Sequence, residues 1–192
     1  MAATSTLEFF FDVASPYTYL ASTRIDADAS AAGVQVTWRP FLLGAVMKAT
    51  GNQPPALVLA RGRYMYKDLL RWSKRLNVPF KMPAVFPVSS LTAQRILAAS
   101  TDPATTRDTA HRLFQAYWVN DRDIGDHKVL VEILGSEAVA SAQTELAKDA
   151  LRAHTSDAIS RGAFGAPTFY AGDRMYFGND RLDWAIEAAR TA

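Results

Sequence analysis

The chain has no cysteine among its 192 residues. That absence excludes a disulfide scaffold, a thiolate-ligated zinc, a cysteine nucleophile and dithiol exchange by the protein's own groups. Histidine is scarce as well. His111, His127 and His154 lie far apart in sequence and lack the spacing of a metal-binding set. No apolar run reaches the roughly 18 residues that a membrane-spanning helix needs. Residues 1–6 lack the basic-then-apolar order of a secretory leader, so a cytoplasmic protein is expected. Neither sign of charge dominates: 21 Lys and Arg stand against 19 Asp and Glu, a net charge of +2. A nucleic-acid binder would show a dense basic face with interleaved aromatics. None is visible, and neither nucleic acid nor a membrane is expected as a partner. Repeats and low-complexity linkers are lacking too.

What remains is an ordinary globular composition, 49% hydrophobic and 21% charged, with ample material for a core. Residues 7–13 (LEFFFDV) form an apolar, aromatic-rich run of strand length. Ser15-Pro16 then reads as a helix start, with serine as N-cap and proline at the first helical position. Helix is expected over 17–32, closed by Gly33, and a second strand over 34–39 (VQVTWR) before Pro40. Such a β-α-β unit is a parallel pair with a crossover. From 41 to about 162 the patterns are helical, broken by Gly51 to Pro55, by a Pro-punctuated loop over 82–90 and by 120–126. Helices are expected over 64–76, 92–99, from the Asp102-Pro103 cap to about Trp118, over 127–134 and over 138–160. The end returns to strands, with 167–171 turning through Gly172-Asp173 into 174–177. Asn179 or Asp180 is expected to cap a last helix reaching about Arg190.

The order is β-α-β, a helical stretch, then β-β-α. That defines an α/β protein of thioredoxin-like fold with an inserted all-helical domain. The expected division is 1–40 plus 162–192 for the thioredoxin-like part and 41–161 for the insertion. In thioredoxin-like proteins a reactive dithiol opens the first helix; here Ser15-Pro16-Tyr17-Thr18 stands in its place. Serine forms no disulfide, but its hydroxyl can donate to a thiolate brought from outside, beside the free N–H groups of a helix start. Taken alone, Ser15 is better explained by plain capping, since Ser-Pro helix starts are common. Gly165-Ala166-Pro167-Thr168 enters a strand where the fold places a cis-proline facing that helix start. An X–Pro bond is trans by default, and the topological position is what favours cis for Pro167.

These motifs together resemble the 2-hydroxychromene-2-carboxylate isomerase family, which is similar to the kappa-class glutathione transferases and, more distantly, to the DsbA-like oxidoreductases. The resemblance rests on FDVASPYTYLA (11–21), FLLGAVMKATGNQPP (41–55), residues 64–72 with Pro79-Phe80 and Phe86-Pro87, LFQAYWVNDRDI (113–124) and GAFGAPTFYAGDRMYFGNDRLDW (162–184). It implies a homodimer with glutathione as cofactor, bound between the two domains. Ser15 matches the catalytic serine beside the glutathione sulfur. Ala166, ahead of Pro167, matches the residue whose backbone clamps the cysteinyl group, and Asn179 and Asp180 match those holding the γ-glutamyl end. Lys48 and Asn52 match positions lining the cleft, where a lysine can pair with a carboxylate. Ser89 falls where asparagine is expected, and Tyr17 is placed to approach the ligand. Trp72, Tyr117, Trp118 and Trp184 read as packing.

The resemblance implies glutathione-dependent isomerisation of 2-hydroxychromene-2-carboxylate, or a related small aromatic carboxylate, to trans-o-hydroxybenzylidenepyruvate. Two alternatives stay open: a kappa-like transferase conjugating electrophiles, and a redox-dead thioredoxin-like module that binds peptides without catalysis.

Overall fold

Phe9, Phe10 and Phe11 follow one another without polar alternation because both faces of their strand are covered. The computed structural model of the protein describes residues 5–191. Residues 1–4, most of the N-terminal stretch read above for the order of a leader, lie outside the described residues. β1 (Thr6–Phe11) runs parallel to β2 (Gln35–Pro40) on one side. On the other it is antiparallel to β3 (Thr168–Ala171), which pairs in turn with β4 (Arg174–Phe177). The sheet order is β2-β1-β3-β4.

Between β1 and β2 run α1 (Pro16–Ser22) and α2 (Ile25–Ala31), where the sequence predicts one helix. The Ser22 hydroxyl donates to the Tyr19 carbonyl at 2.7 Å and the Thr23 hydroxyl to the Leu20 carbonyl at 2.7 Å. Hydroxyls that take carbonyls of the preceding turn offer the backbone an alternative to helix, and the segment breaks there.

After β2 come α3 (Leu43–Thr50), a 3₁₀ turn at Pro55–Leu57, α4 (Leu59–Leu76) and α5 (Leu91–Ala99). Next are α6 (Pro103–Trp118), α7 (His127–Leu134), α8 (Ser136–Ser141) and α9 (Glu145–Ser160). The last two replace the single helix expected over 138–160. Ser141 and Thr144 hydroxyls take the Ala138 and Ser141 carbonyls, and Thr144 caps α9 by accepting from the Ala147 N–H. A 3₁₀ turn at Asn179–Arg181 leads into α10 (Leu182–Arg190). Neither Asn179 nor Asp180 caps that helix. Arg181 N–H bonds the Gly178 carbonyl at 3.1 Å, a tighter turn that delays the helix to Leu182.

Phe9 and Phe11 point to one face with Phe169, against Trp38, Leu20, Ile25 and Phe114. Phe10 and Tyr170 point to the other, against Phe41, Val46 and Ala158. Each fully buried phenylalanine contributes about 2 kcal/mol of apolar burial. Among the described residues no helix is long and apolar enough to cross a membrane. The architecture is a thioredoxin-like fold, a four-stranded mixed sheet dressed with many helices.

Candidate functional site

Ser15 holds extended backbone (φ −92°, ψ 120°) ahead of Pro16, and its Oγ accepts from the Thr18 N–H at 3.3 Å. The capping role expected of it is therefore real. The same hydroxyl donates to the Ala166 carbonyl at 3.2 Å, joining two points 151 positions apart in sequence. The Ala166–Pro167 bond is cis, in agreement with its topological position. The Pro167 carbonyl accepts from the Gly178 N–H at 3.0 Å, which draws the Asn179–Arg181 turn against the proline loop.

Gly178 sits at φ +99°, and a Cβ there would meet Asp180 Oδ1 at 2.6 Å. Gly178→Ala is thus expected to lower stability by about 1 kcal/mol or more, because alanine pays both the positive φ and the clash. A thermal melt of the variant checks this, and an unchanged midpoint would refute the strain.

A cavity of about 840 Å³ opens beside Ser15, at the upper end of the 300–1,000 Å³ range usual for small-molecule sites. The expected residues Ser15, Tyr17, Asn52, Ser89, Ala166, Asn179 and Asp180 all line it. Pro167 is buried behind Ala166. Asn52 reaches across one end, its Nδ2 donating to the Phe164 carbonyl at 2.8 Å and its Oδ1 accepting from the Gln53 N–H at 2.8 Å. Tyr17 is half-buried, and its hydroxyl donates to Asp68 Oδ2 at 2.9 Å. Burial first, and then the Asp68 carboxylate, push the Tyr17 phenol well above its usual range. Lys48 is the exception. It is exposed in the last turn of α3 and is not part of the cavity lining, because its helix buries Val46 and turns Lys48 outward.

Among the lining residues not assigned to the site from sequence, three shape it most. Asp12 is 1% exposed and forms part of the cavity floor. Its Oδ1 accepts from the Ala14 N–H at 2.9 Å; its Oδ2 accepts from the Leu43 N–H at 2.9 Å and the Ser90 hydroxyl at 3.0 Å. It thereby ties the end of β1 to the starts of α3 and α5, neither of which has a side-chain cap of its own. Burial raises its pKa, and the three hydrogen bonds oppose that rise. The detectable signal was a carboxylate closing an apolar run. Asp68 and Trp72, one turn apart on α4, form a side wall. Trp72 packs against the core, as expected, and also lines the cavity. Trp184 departs from its packing assignment: it is 57% exposed under the Arg181 guanidinium. Tyr117 and Trp118 are fully buried, as expected.

The arrangement sets a serine hydroxyl and a backbone carbonyl against each other at the edge of a largely apolar chamber. Comparison with known proteins agrees in class. Residues 6–188 match the family described as DSBA-like thioredoxin domain, and the chain belongs to that family. It is 32% identical to rat (Rattus norvegicus) glutathione S-transferase kappa 1, over 92% of this chain and 87% of that protein. It is 31% identical to the 2-hydroxychromene-2-carboxylate isomerase of Sphingobium xenophagum, over 94% and 96%. A solved structure of 2-hydroxychromene-2-carboxylate isomerase superposes with a TM-score of 0.85 at 27% identity, covering 97% of this chain and 94% of that one. These relatives are enzymes.

Proposed function

We propose that the protein is a glutathione-dependent isomerase acting on 2-hydroxychromene-2-carboxylate or a related aromatic compound. The observation that carries this is the Ser15 hydroxyl facing the Ala166 carbonyl at the edge of an apolar cavity, in a chain without cysteine. It is a thiolate site that lacks its thiol.

The residues present fit a cysteinyl tripeptide. Ser15 and Ala166 now satisfy each other, and a cysteinyl group offers each a replacement partner. The Ser15 proton turns to the sulfur, while the Ala166 carbonyl takes an incoming peptide N–H in the manner of strand addition. The first turn of α1 adds the partial positive charge of its N–H groups, which favours an ionised thiol. When bound, glutathione supplies a thiolate nucleophile that turns a conjugated double bond into a rotatable single bond and is regenerated afterwards. Asn179 and Asp180 offer a carboxamide and a carboxylate to its amino-acid head, and Asn52 closes the same end. Tyr17, Trp72 and Ser89 face the aromatic partner.

The division into 1–40 plus 162–192 and 41–161 belongs to this proposal, as do a cytoplasmic setting and a homodimer. All four strands falling within the first division supports that split. Exposed Leu59, Tyr66 and Leu70 along α4 support the dimer, and sedimentation at the mass of one chain would remove it.

Glutathione titration by calorimetry, then a spectrophotometric isomerisation assay with and without glutathione, tests the whole. Binding with glutathione-dependent isomerisation is expected. Absent glutathione binding, with cysteinyl-free peptides still bound, would instead make the protein a peptide-binding module. Conjugation of electrophiles by a kappa-like transferase is the second reading. One observation favours it: among the described residues lining the cavity there is no lysine, arginine or histidine to hold a substrate carboxylate.

A further inference from the structure

The charge of the cavity is one-sided. Its lining includes three carboxylates, Asp12, Asp68 and Asp180, and no cationic side chain among the described residues. Asp180 is ion-paired with Arg181, and Asp12 is consumed by its three donors. Asp68 is different: among the described residues its side chain receives one hydrogen bond, from the uncharged Tyr17 hydroxyl. That bond also fixes which way Tyr17 faces chemically. Its proton is committed to Asp68, so only its oxygen lone pairs remain for a ligand. The Tyr17–Asp68 couple can accept hydrogen bonds from a ligand but has none to donate. Around it stand the aromatic surfaces of Tyr17, Tyr64, Trp72 and Phe86.

A ligand carboxylate entering this chamber loses its water, finds no donor in the couple and faces an uncompensated negative charge. An uncharged aryl group loses only apolar hydration, which is favourable. A phenolic hydroxyl on that aryl group adds a donor for the Tyr17–Asp68 couple. We infer that the acceptor half of the cavity excludes anions and takes uncharged aryl electrophiles bearing a hydroxyl donor, with Asp68 as the specificity-determining residue. Within the proposed function, which this inference rests on for the word electrophile, it selects the uncharged related compound over the carboxylate itself. The Asp68 charge acts on the ligand alike whether the product leaves as an isomer or as a conjugate.

Three ligands of one shape read this out through quenching of tryptophan fluorescence, since Trp72 lines the chamber. They are methyl para-hydroxycinnamate, methyl cinnamate and the para-hydroxycinnamate anion, each titrated into the full chain with glutathione present and absent. The hydroxylated ester is expected to bind tightest, methyl cinnamate several-fold weaker, and the anion at least about tenfold weaker than its ester. Asp68→Asn keeps an acceptor for the Tyr17 hydroxyl and removes the charge. It is expected to narrow the ester-to-anion gap about threefold or more while leaving glutathione affinity unchanged.

An anion that binds as well as its ester overturns the inference, and so does failure of all three ligands to bind. An Asp68→Asn gap equal to that of the unaltered protein removes Asp68 as the determinant. Equal binding of the two esters removes the acceptor wall. Glutathione affinity is measured separately in each series, so its absence would sink the proposed function without touching the ranking of the aryl ligands.

Discussion

Ser15→Ala is expected to lower glutathione-dependent turnover by about 100-fold, the usual consequence of removing one donor from a developing or resting anion. Stability should change little. The N-cap bond to Thr18 is lost and the buried Ala166 carbonyl loses a partner, together about 1–2 kcal/mol, or a few degrees in a chain of this length. The specific signature is the thiol itself. With the hydroxyl gone, the pKa of bound glutathione should rise towards the ordinary value of about 8.5, read from the ultraviolet absorbance of the thiolate across pH. A merely structural serine would leave that titration alone. Unchanged turnover together with an unchanged thiol titration would take Ser15 out of the chemistry and leave it a helix cap.

The parts of this site that were legible in the sequence are those carried by backbone-determining residues. Pro16 and Pro167 restrict their own φ and announce a helix start and a loop facing it, and their separation in a β-α-β…β-β-α order is enough to bring them together. Helices with acidic caps and an apolar stripe, such as α6 from Asp102 and α7 from Asp126, could be bounded to within a residue. The breaks at Thr23 and around Ser141 were not legible. Serine and threonine hydroxyls continue or end a helix according to whether they capture the carbonyl behind them, and that choice is settled by packing. Lys48 shows a further limit. Motif position placed it at the cleft, but an eight-residue helix presents several faces, and burial of Val46 decided which one turned inward. Asp68 and Trp72 were hidden for the same reason: their shared side matters only once α4 is laid beside α1.

Asp12 carries the second large expectation, and here two effects oppose each other. Burial penalises its charged form, so its folded pKa lies above the value in the unfolded chain. The folded state then binds more protons than the unfolded one between those two values. Stability contributed by this group is highest below the unfolded pKa and falls as pH rises through the folded pKa. On charge alone, removing Asp12 would therefore stabilise the protein at neutral pH. Its hydrogen bonds argue the other way. Asp12→Ala strands the buried Ser90 hydroxyl and the part-buried Leu43 and Ala14 N–H groups, and an unsatisfied donor costs about 1–3 kcal/mol when buried and less when part-buried. Three such losses outweigh relief of one desolvated charge that already receives three bonds. The expected result for Asp12→Ala is a loss of about 3 kcal/mol and a midpoint lower by about 10 °C at neutral pH. Asp12→Asn keeps an acceptor and loses the charge, so its destabilisation should be smaller. The fall in stability that Asp12 causes as pH rises above the ordinary aspartate range should vanish in that variant. Denaturant unfolding of the three proteins from mildly acidic to neutral pH measures both effects. Should Asp12→Ala prove as stable as the unaltered chain, the carboxylate would not be what fastens α3 and α5 to the end of β1. The cavity floor would then have to be held by Gln94 instead, whose side chain donates to the Phe11 and Phe41 carbonyls at 2.8 Å each.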